Sequence, residues 1–184
     1  MEPSSGSQGR RPLLPLPDEG ARMPSHTPRC MGCGLDNPDG YHLAAYRRGD
    51  EVIAEYTFDQ RHEGGPGLAH GGAVAAVCDD VLGHVLTLLG SPAVTRRLEV
   101  DYLKPVLLGE PHRLVGRVEQ VDGRKIWLTL EALAPDGQPR FTARGLFIKV
   151  GLEHFLAGLS PDERERAQAK LAELRERGED VSAW

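Results

Sequence analysis

The chain has 184 residues, 40% of them hydrophobic, and carries a formal net charge of −5 at pH 7. That length supports one domain with a real core plus tails, and the ordinary globular composition excludes both a wholly disordered chain and a membrane protein. The acidic balance lacks the basic footprint of a nucleic-acid binder, and three cysteines, an odd number, argue against a disulfide framework and for a reducing, cytoplasmic setting.

Residues 1–28, rich in Pro, Ser, Gly and Arg without hydrophobic periodicity, read as a mostly disordered leader. Its stretch Leu13-Leu14-Pro15-Leu16-Pro17 is too short and too proline-broken for a signal peptide. The ordered domain is expected over 30–150. Tyr41 to Tyr46 and Glu51 to Phe58 flank Arg48-Gly49-Asp50 and predict a hairpin. A glycine-rich loop, Glu63 to Ala69, leads into a helix from Gly71 to Leu89 that Gly90-Ser91-Pro92 stops. Its longest nearly apolar run, Val81 to Leu89, falls far short of the roughly 20 residues that cross a bilayer, so no membrane partner is expected. Strands follow at 94–104, 112–121, 125–134 and 140–150, with turns at Asp122-Gly123 and Pro135-Asp136-Gly137. Ser160-Pro161-Asp162-Glu163 is a helix start, opening a charged helix and tail over 158–184.

The central helix carries Val74, Val77, Val81, Leu82, Val85, Leu86, Leu88 and Leu89, apolar on nearly every side, and such a helix must be surrounded. The simplest architecture is α+β: one long helix wrapped by one curved antiparallel sheet of five to six strands.

Chemistry concentrates between His62 and Asp80. The first N–H groups of a helix have no partner inside it, and the helix dipole there favours negative charge. Gly71 and Gly72 therefore either present donors to the oxyanion of a thioester under attack or simply form a tight loop. Asp79 has Ala75, Leu82 and Leu86 as neighbours on its helix face, a costly place for a carboxylate, and suits a general base or a nucleophile. Asp80 pairs naturally with His84 one turn on. Asp79 follows Gly72 by roughly 10 Å of axis at about 1.5 Å per residue, so both groups reach one thioester carbon only if two subunits share the site.

The segment Cys30-Met31-Gly32-Cys33-Gly34 with Asn37-Pro38 and Gly40, the loop Pro66 to Gly72, Asp79, and Thr95 with Leu98 to Pro105 resemble the hotdog-fold acyl-CoA thioesterases of the phenylacetate-degradation type. The resemblance spans Cys30 to Val150. It implies that Gly72 polarises the thioester carbonyl through its N–H, with His70 and Gly71 shaping the loop; His62, His70 and Gly71 are expected to bind the substrate. It implies that Asp79 of the partner subunit is base or nucleophile and that Thr95 orients it or the attacking water. It implies a homodimer, often a dimer of dimers, acting on an acyl-CoA or acyl-phosphopantetheine thioester. No cofactor is expected, CoA being part of the substrate. Some relatives place Asn or Gln where this chain has Glu63 and glycines.

Arg96, Arg97, Lys104, Arg124 and Lys125 are candidate partners for the CoA phosphates, with Gly123-Arg124 preferred because a flexible turn brings both backbone and guanidinium to a phosphate. Cys30 and Cys33 form a single C-x-x-C whose further ligands would have to come from His26, His42 or Cys78, so no metal is expected. Cys78 reads as a small core residue. Two rival readings stand beside hydrolysis: a non-catalytic acyl-CoA-binding or sensing module, and a hydratase or dehydratase on the same fold that would use His62.

Overall fold

The structure, a computed structural model, describes residues 16–176. The chain runs β1 (Ala45–Arg48), β2 (Glu51–Thr57), a 3-10 turn (Gln60–His62), β3 (Glu63–Gly65), β4 (Leu68–Ala69) and α1 (Gly71–Leu89). It continues through β5 (Ala93–Tyr102), β6 (Pro111–Asp122), β7 (Lys125–Leu133), β8 (Pro139–Lys149), α2 (Leu152–Leu156) and α3 (Pro161–Glu176). Six strands form one sheet in the order β1-β2-β6-β7-β8-β5, antiparallel throughout, and β3 pairs with β4 in a small separate ribbon.

The sheet wraps α1, which touches β2, β5, β6, β7 and β8. Val74, Val77, Cys78, Val81, Leu82 and Val85 of the helix meet Val52, Ala54, Leu114, Ile126, Leu128, Phe141 and Phe147 of the strands in one core. Helix and sheet approach closely at two glycines: a Cβ on Gly116 of β6 would lie 2.8 Å from Val85 Cγ2, and one on Gly145 of β8 would lie 3.0 Å from Leu82 Cδ1. One face of α1, through Ala75, Ala76, Asp79, Gly83 and Thr87, stays only half-buried. Length and hydropathy alone would let α1 cross a membrane, contrary to the expectation from its longest apolar run. Its burial inside the sheet accounts for that hydropathy instead.

Three expectations are corrected. The unstructured leader does not extend to residue 28: Gly20 N–H donates to Arg47 O, Met23 N–H to Ala45 O, and Met23 is buried. This segment borrows its hydrogen bonds from the edge of β1 rather than from its own periodicity; residues 1–15 lie outside the described residues. The first strand begins at Ala45 rather than Tyr41, because Tyr41 and Leu43 donate their N–H groups to Met31 and Gly32 of the C-x-x-C turn. Strand β5 ends at Tyr102 rather than 104, where Leu103 and Lys104 both donate to Arg140 O. At the other end, Ser160 and Glu163 cap α3 reciprocally, and residues 177–184 of the charged tail lie outside the described residues.

Candidate active site

Asp79 lies mid-helix on the half-buried face of α1. Thr95 Oγ1 donates to Asp79 Oδ1 at 2.8 Å. Register shifts between Thr95 and Arg97 mark a β-bulge in β5. Bulges re-aim side chains beside functional sites, and this one lies directly after Thr95. Burial pushes the Asp79 carboxyl above its ordinary value; the Thr95 hydrogen bond opposes that rise, and the neighbouring Asp80 charge adds to it. One carboxylate oxygen is thus held by the threonine.

At the N-terminus of the same helix, His70 caps α1: its Nδ1 accepts from Gly72 N–H at 2.8 Å. The donor expected to meet an oxyanion is therefore occupied by its own loop. The loop itself is tightly laced. Glu63 Oε1 accepts from Gly67 N–H at 2.8 Å, His70 N–H donates to His62 O at 2.7 Å, and Ala69 N–H donates to Val106 O at 2.9 Å. Glu63 thus braces the glycines. Tyr102, to which no role is expected from the sequence, donates its hydroxyl to Gly71 O at 2.7 Å and ties the end of β5 to the first turn of α1. Nothing in the local sequence marks it, since the two residues lie 31 positions apart.

His62, whose carbonyl takes the bond from His70 N–H, has its ring engaged by other partners. Its ring is buried, stacks on Tyr41, and sits with Nε2 3.3 Å from the Tyr56 hydroxyl and Nδ1 3.1 Å from the Asp59 backbone nitrogen. Gly123 occupies the β6–β7 turn with φ 55°, and the Arg124 guanidinium donates to Lys149 O at 3.0 and 3.1 Å. That turn shares an end of the sheet with Thr95, since Lys149 pairs with Ala93 and Lys125 with Ile148. Arg97 is paired with Glu99. Cys78 is fully buried, and burial pushes its thiol up to about 12, with the Asp79 charge adding to the shift. That environment suits a core residue and disfavours a thiolate nucleophile.

Cys30 Sγ meets Asp80, and Cys33 stands within 4.8 Å of the ligand atoms of both Asp80 and His84. Of the ligands considered for them, His26 is present; His42 is bonded to Asn37 O and Cys78 lies in the core. A groove of about 600 Å³ lined by Tyr46, Arg47, Arg48, Ile53, Glu55 and Arg113 lies at the β1–β2 edge, across the sheet from Thr95.

Among solved structures, thioesterase superfamily protein RHA08564 superposes with a TM-score of 0.62 at 31% identity, over 67% of this chain and 63% of that one. The family profile of the thioesterase superfamily matches residues 66–139, which include the loop, α1, Asp79, Thr95 and β7. The sheet wrapped on α1 is a hotdog fold, and residues 66–139 within it are similar to the thioesterase superfamily. The hotdog domain is also similar to acyl-coenzyme A thioesterase THEM4 of Xenopus laevis, 35% identical over 89 residues, 48% of this chain and 40% of that protein. The chain thus matches less than half of that relative's length. A hypothetical thioesterase of Streptococcus pneumoniae, solved with coenzyme A, shares the fold at TM-score 0.56 and 21% identity, over 59% of this chain and 86% of that one. The Streptococcus pneumoniae protein has also been solved with an Asp, and separately a Thr sixteen positions later, changed to Ala.

Proposed function

We propose that this protein hydrolyses an acyl-CoA thioester, or the same thioester on a phosphopantetheine arm, to a free acid and a thiol. The observation that carries the reading is the 2.8 Å hydrogen bond from Thr95 to the half-buried Asp79. Held at Oδ1 by the threonine, the carboxylate keeps Oδ2 to accept a proton from water as that water attacks the carbonyl carbon. The carbonyl oxygen takes the place of His70 Nδ1 as acceptor of the Gly72 N–H, where the helix dipole stabilises the developing charge. The tetrahedral intermediate then collapses, the C–S bond breaks, and the departing CoA thiolate takes the proton that Asp79 received from water.

Gly72 and Asp79 of one helix lie roughly 10 Å apart along its axis, at about 1.5 Å per residue, so the working site draws Gly72 from one protomer and the Asp79–Thr95 pair from its partner. The half-buried Ala75, Ala76 and Asp79 face of α1 offers small side chains for that helix to approach another. Relatives named for acyl-CoA hydrolysis, and a neighbour solved with CoA, support the substrate class. The substituted Asp and Thr of the Streptococcus pneumoniae protein share the sixteen-residue spacing of Asp79 and Thr95, which supports the pair. Arg124, on the turn beside the Thr95 end of the sheet, binds a CoA phosphate by exchanging its bond to the Lys149 carbonyl for one to the anion.

The experiment is thiol release from a panel of acyl-CoAs by the full chain. Hydrolysis that disappears in Asp79→Asn supports the reading. Binding without turnover would establish a sensing module instead, and loss of enoyl absorbance without thiol release would establish a hydratase.

A further inference from the structure

The densest chemistry outside the reaction centre lies where the N-terminal segment crosses α1. His26 Nδ1 is 3.1 Å from Asp80 Oδ1 and 3.3 Å from Cys33 Sγ. Cys30 Sγ is 3.3 Å from Asp80 Oδ1 and 3.9 Å from His26 Nδ1, and His84 Nε2 is 3.5 Å from Asp80 Oδ2. One ligand atom from each of His26, Cys33, Asp80 and His84 lies within 4.8 Å of all the others. A tetrahedral zinc shell with bonds of about 2.0–2.3 Å has edges of roughly 3.3–3.8 Å, so the donors already stand near the spacing of one coordination sphere.

Three independent features point to an ion rather than to chance crowding. First, Asp80 Oδ2 and both ring nitrogens of His84 are buried with no hydrogen-bond partner, on side chains 7% and 1% exposed. Buried polar atoms are seldom left so, and these three sit on donors of the cluster. Second, the backbone is shaped to bring the donors together. A Cβ on Gly32 would lie 2.1 Å from Asp80 Cγ, and one on Gly83 would lie 2.9 Å from the His26 ring. Either side chain would push the C-x-x-C turn or His26 off the helix. Third, the charges balance. A Cys33 thiolate and an Asp80 carboxylate neutralise a divalent cation, and two neutral imidazoles complete the shell, so no net charge is left against the buried Cys33, Asp80 and His84.

We propose that His26, Cys33, Asp80 and His84, with the Cys30 thiol beside them, hold one divalent ion of the zinc class. Four protein ligands make it a closed, structural site. On binding, the Cys33 thiol gives its proton to solvent and the sulfur lone pair goes to the metal. The ion fastens the N-terminal segment to the turn of α1 that carries Asp79, one residue from Asp80. The proposal is independent of the thioesterase reading.

The test uses the full chain, purified without chelators. Elemental analysis is expected to find about one zinc per chain, as a single closed site requires. After chelation, Co²⁺ is expected to give the visible bands of a tetrahedral ion with a near-ultraviolet thiolate-to-cobalt band, and Zn²⁺ to displace it and raise the melting temperature. The thiolate band should vanish in the Cys30→Ser/Cys33→Ser double variant and persist in His42→Ala. If the double variant fails to fold, zinc content and the cobalt spectrum of the native chain decide. A folded, chelator-stripped chain that takes up no Zn²⁺, or binds Co²⁺ without tetrahedral and thiolate bands, overturns the proposal.

Discussion

At the residue scale, the Thr95–Asp79 bond makes an unequal prediction for its two members. Asp79→Asn removes the proton acceptor while keeping shape, and is expected to lower kcat by about 10²–10⁴-fold, the usual contribution of a general base. Thr95→Ala removes only the orienting hydroxyl and should lower kcat by about tenfold, the equivalent of one lost hydrogen bond of roughly 1.4 kcal/mol, with KM little changed. Thr95→Ser should restore most of it. An alanine variant as active as the native chain would show the bond to be structural. Water as the attacking group also predicts that a single turnover in ¹⁸O-water labels the acid product and leaves Asp79 unlabelled; label in the aspartate would make it the nucleophile. Asp79 was legible from sequence because a carboxylate among Ala75, Leu82 and Leu86 needs a reason to be there. The His70 cap on Gly72 was not: the sequence marks an open N–H, and only the fold shows which side chain turns back to fill it. Likewise Asp80 and His84 satisfied each other on paper, which hid that the pair also faces Cys33 and His26.

At the scale of elements, α1 coincides with its predicted bounds because punctuation and periodicity agree: the glycine-rich loop before it, unbroken apolar spacing within it, and Gly90 in the left-handed conformation after it. The strand ends moved where partners from elsewhere in the chain claimed the backbone, as Met31 and Gly32 do for Tyr41 and Leu43. Which strand lies beside which was also invisible locally, and it matters, because the return of β5 to β8 puts Thr95 on the outer strand beside α1. The closeness of helix and sheet gives a sharp test. Gly116→Ala would set a methyl 2.8 Å from Val85 and 3.2 Å from Val81 of α1, both fully buried in the core. Neither neighbour has room to retreat. Overpacking of this kind costs about 1–3 kcal/mol, which urea unfolding should register as a lower midpoint at unchanged slope. An unchanged midpoint would mean that the sheet flexes away from α1 more easily than its packing implies.

At the scale of the whole molecule, the separation of Gly72 from Asp79 makes subunit sharing a matter of counting sites. Chains bearing Asp79→Asn keep a competent oxyanion loop, and chains bearing Gly72→Pro keep a competent carboxylate but lose the amide donor at a first-turn position where proline is tolerated. Each homodimer should be inactive. In a mixed two-fold dimer one site combines Gly72 of the first chain with Asp79 of the second and is intact, while the other site is doubly defective. Random exchange of equal amounts makes half the dimers mixed, so roughly a quarter of the native turnover should return, as an isologous interface with two shared sites demands. The recovered activity should appear only after conditions that let subunits exchange, and it should carry native KM, because the intact site is native in every group. If both groups acted within one chain, mixing would recover nothing, since every chain is defective in one of them. The same experiment therefore reads the oligomer and the catalytic pairing together, without requiring either variant to be active by itself.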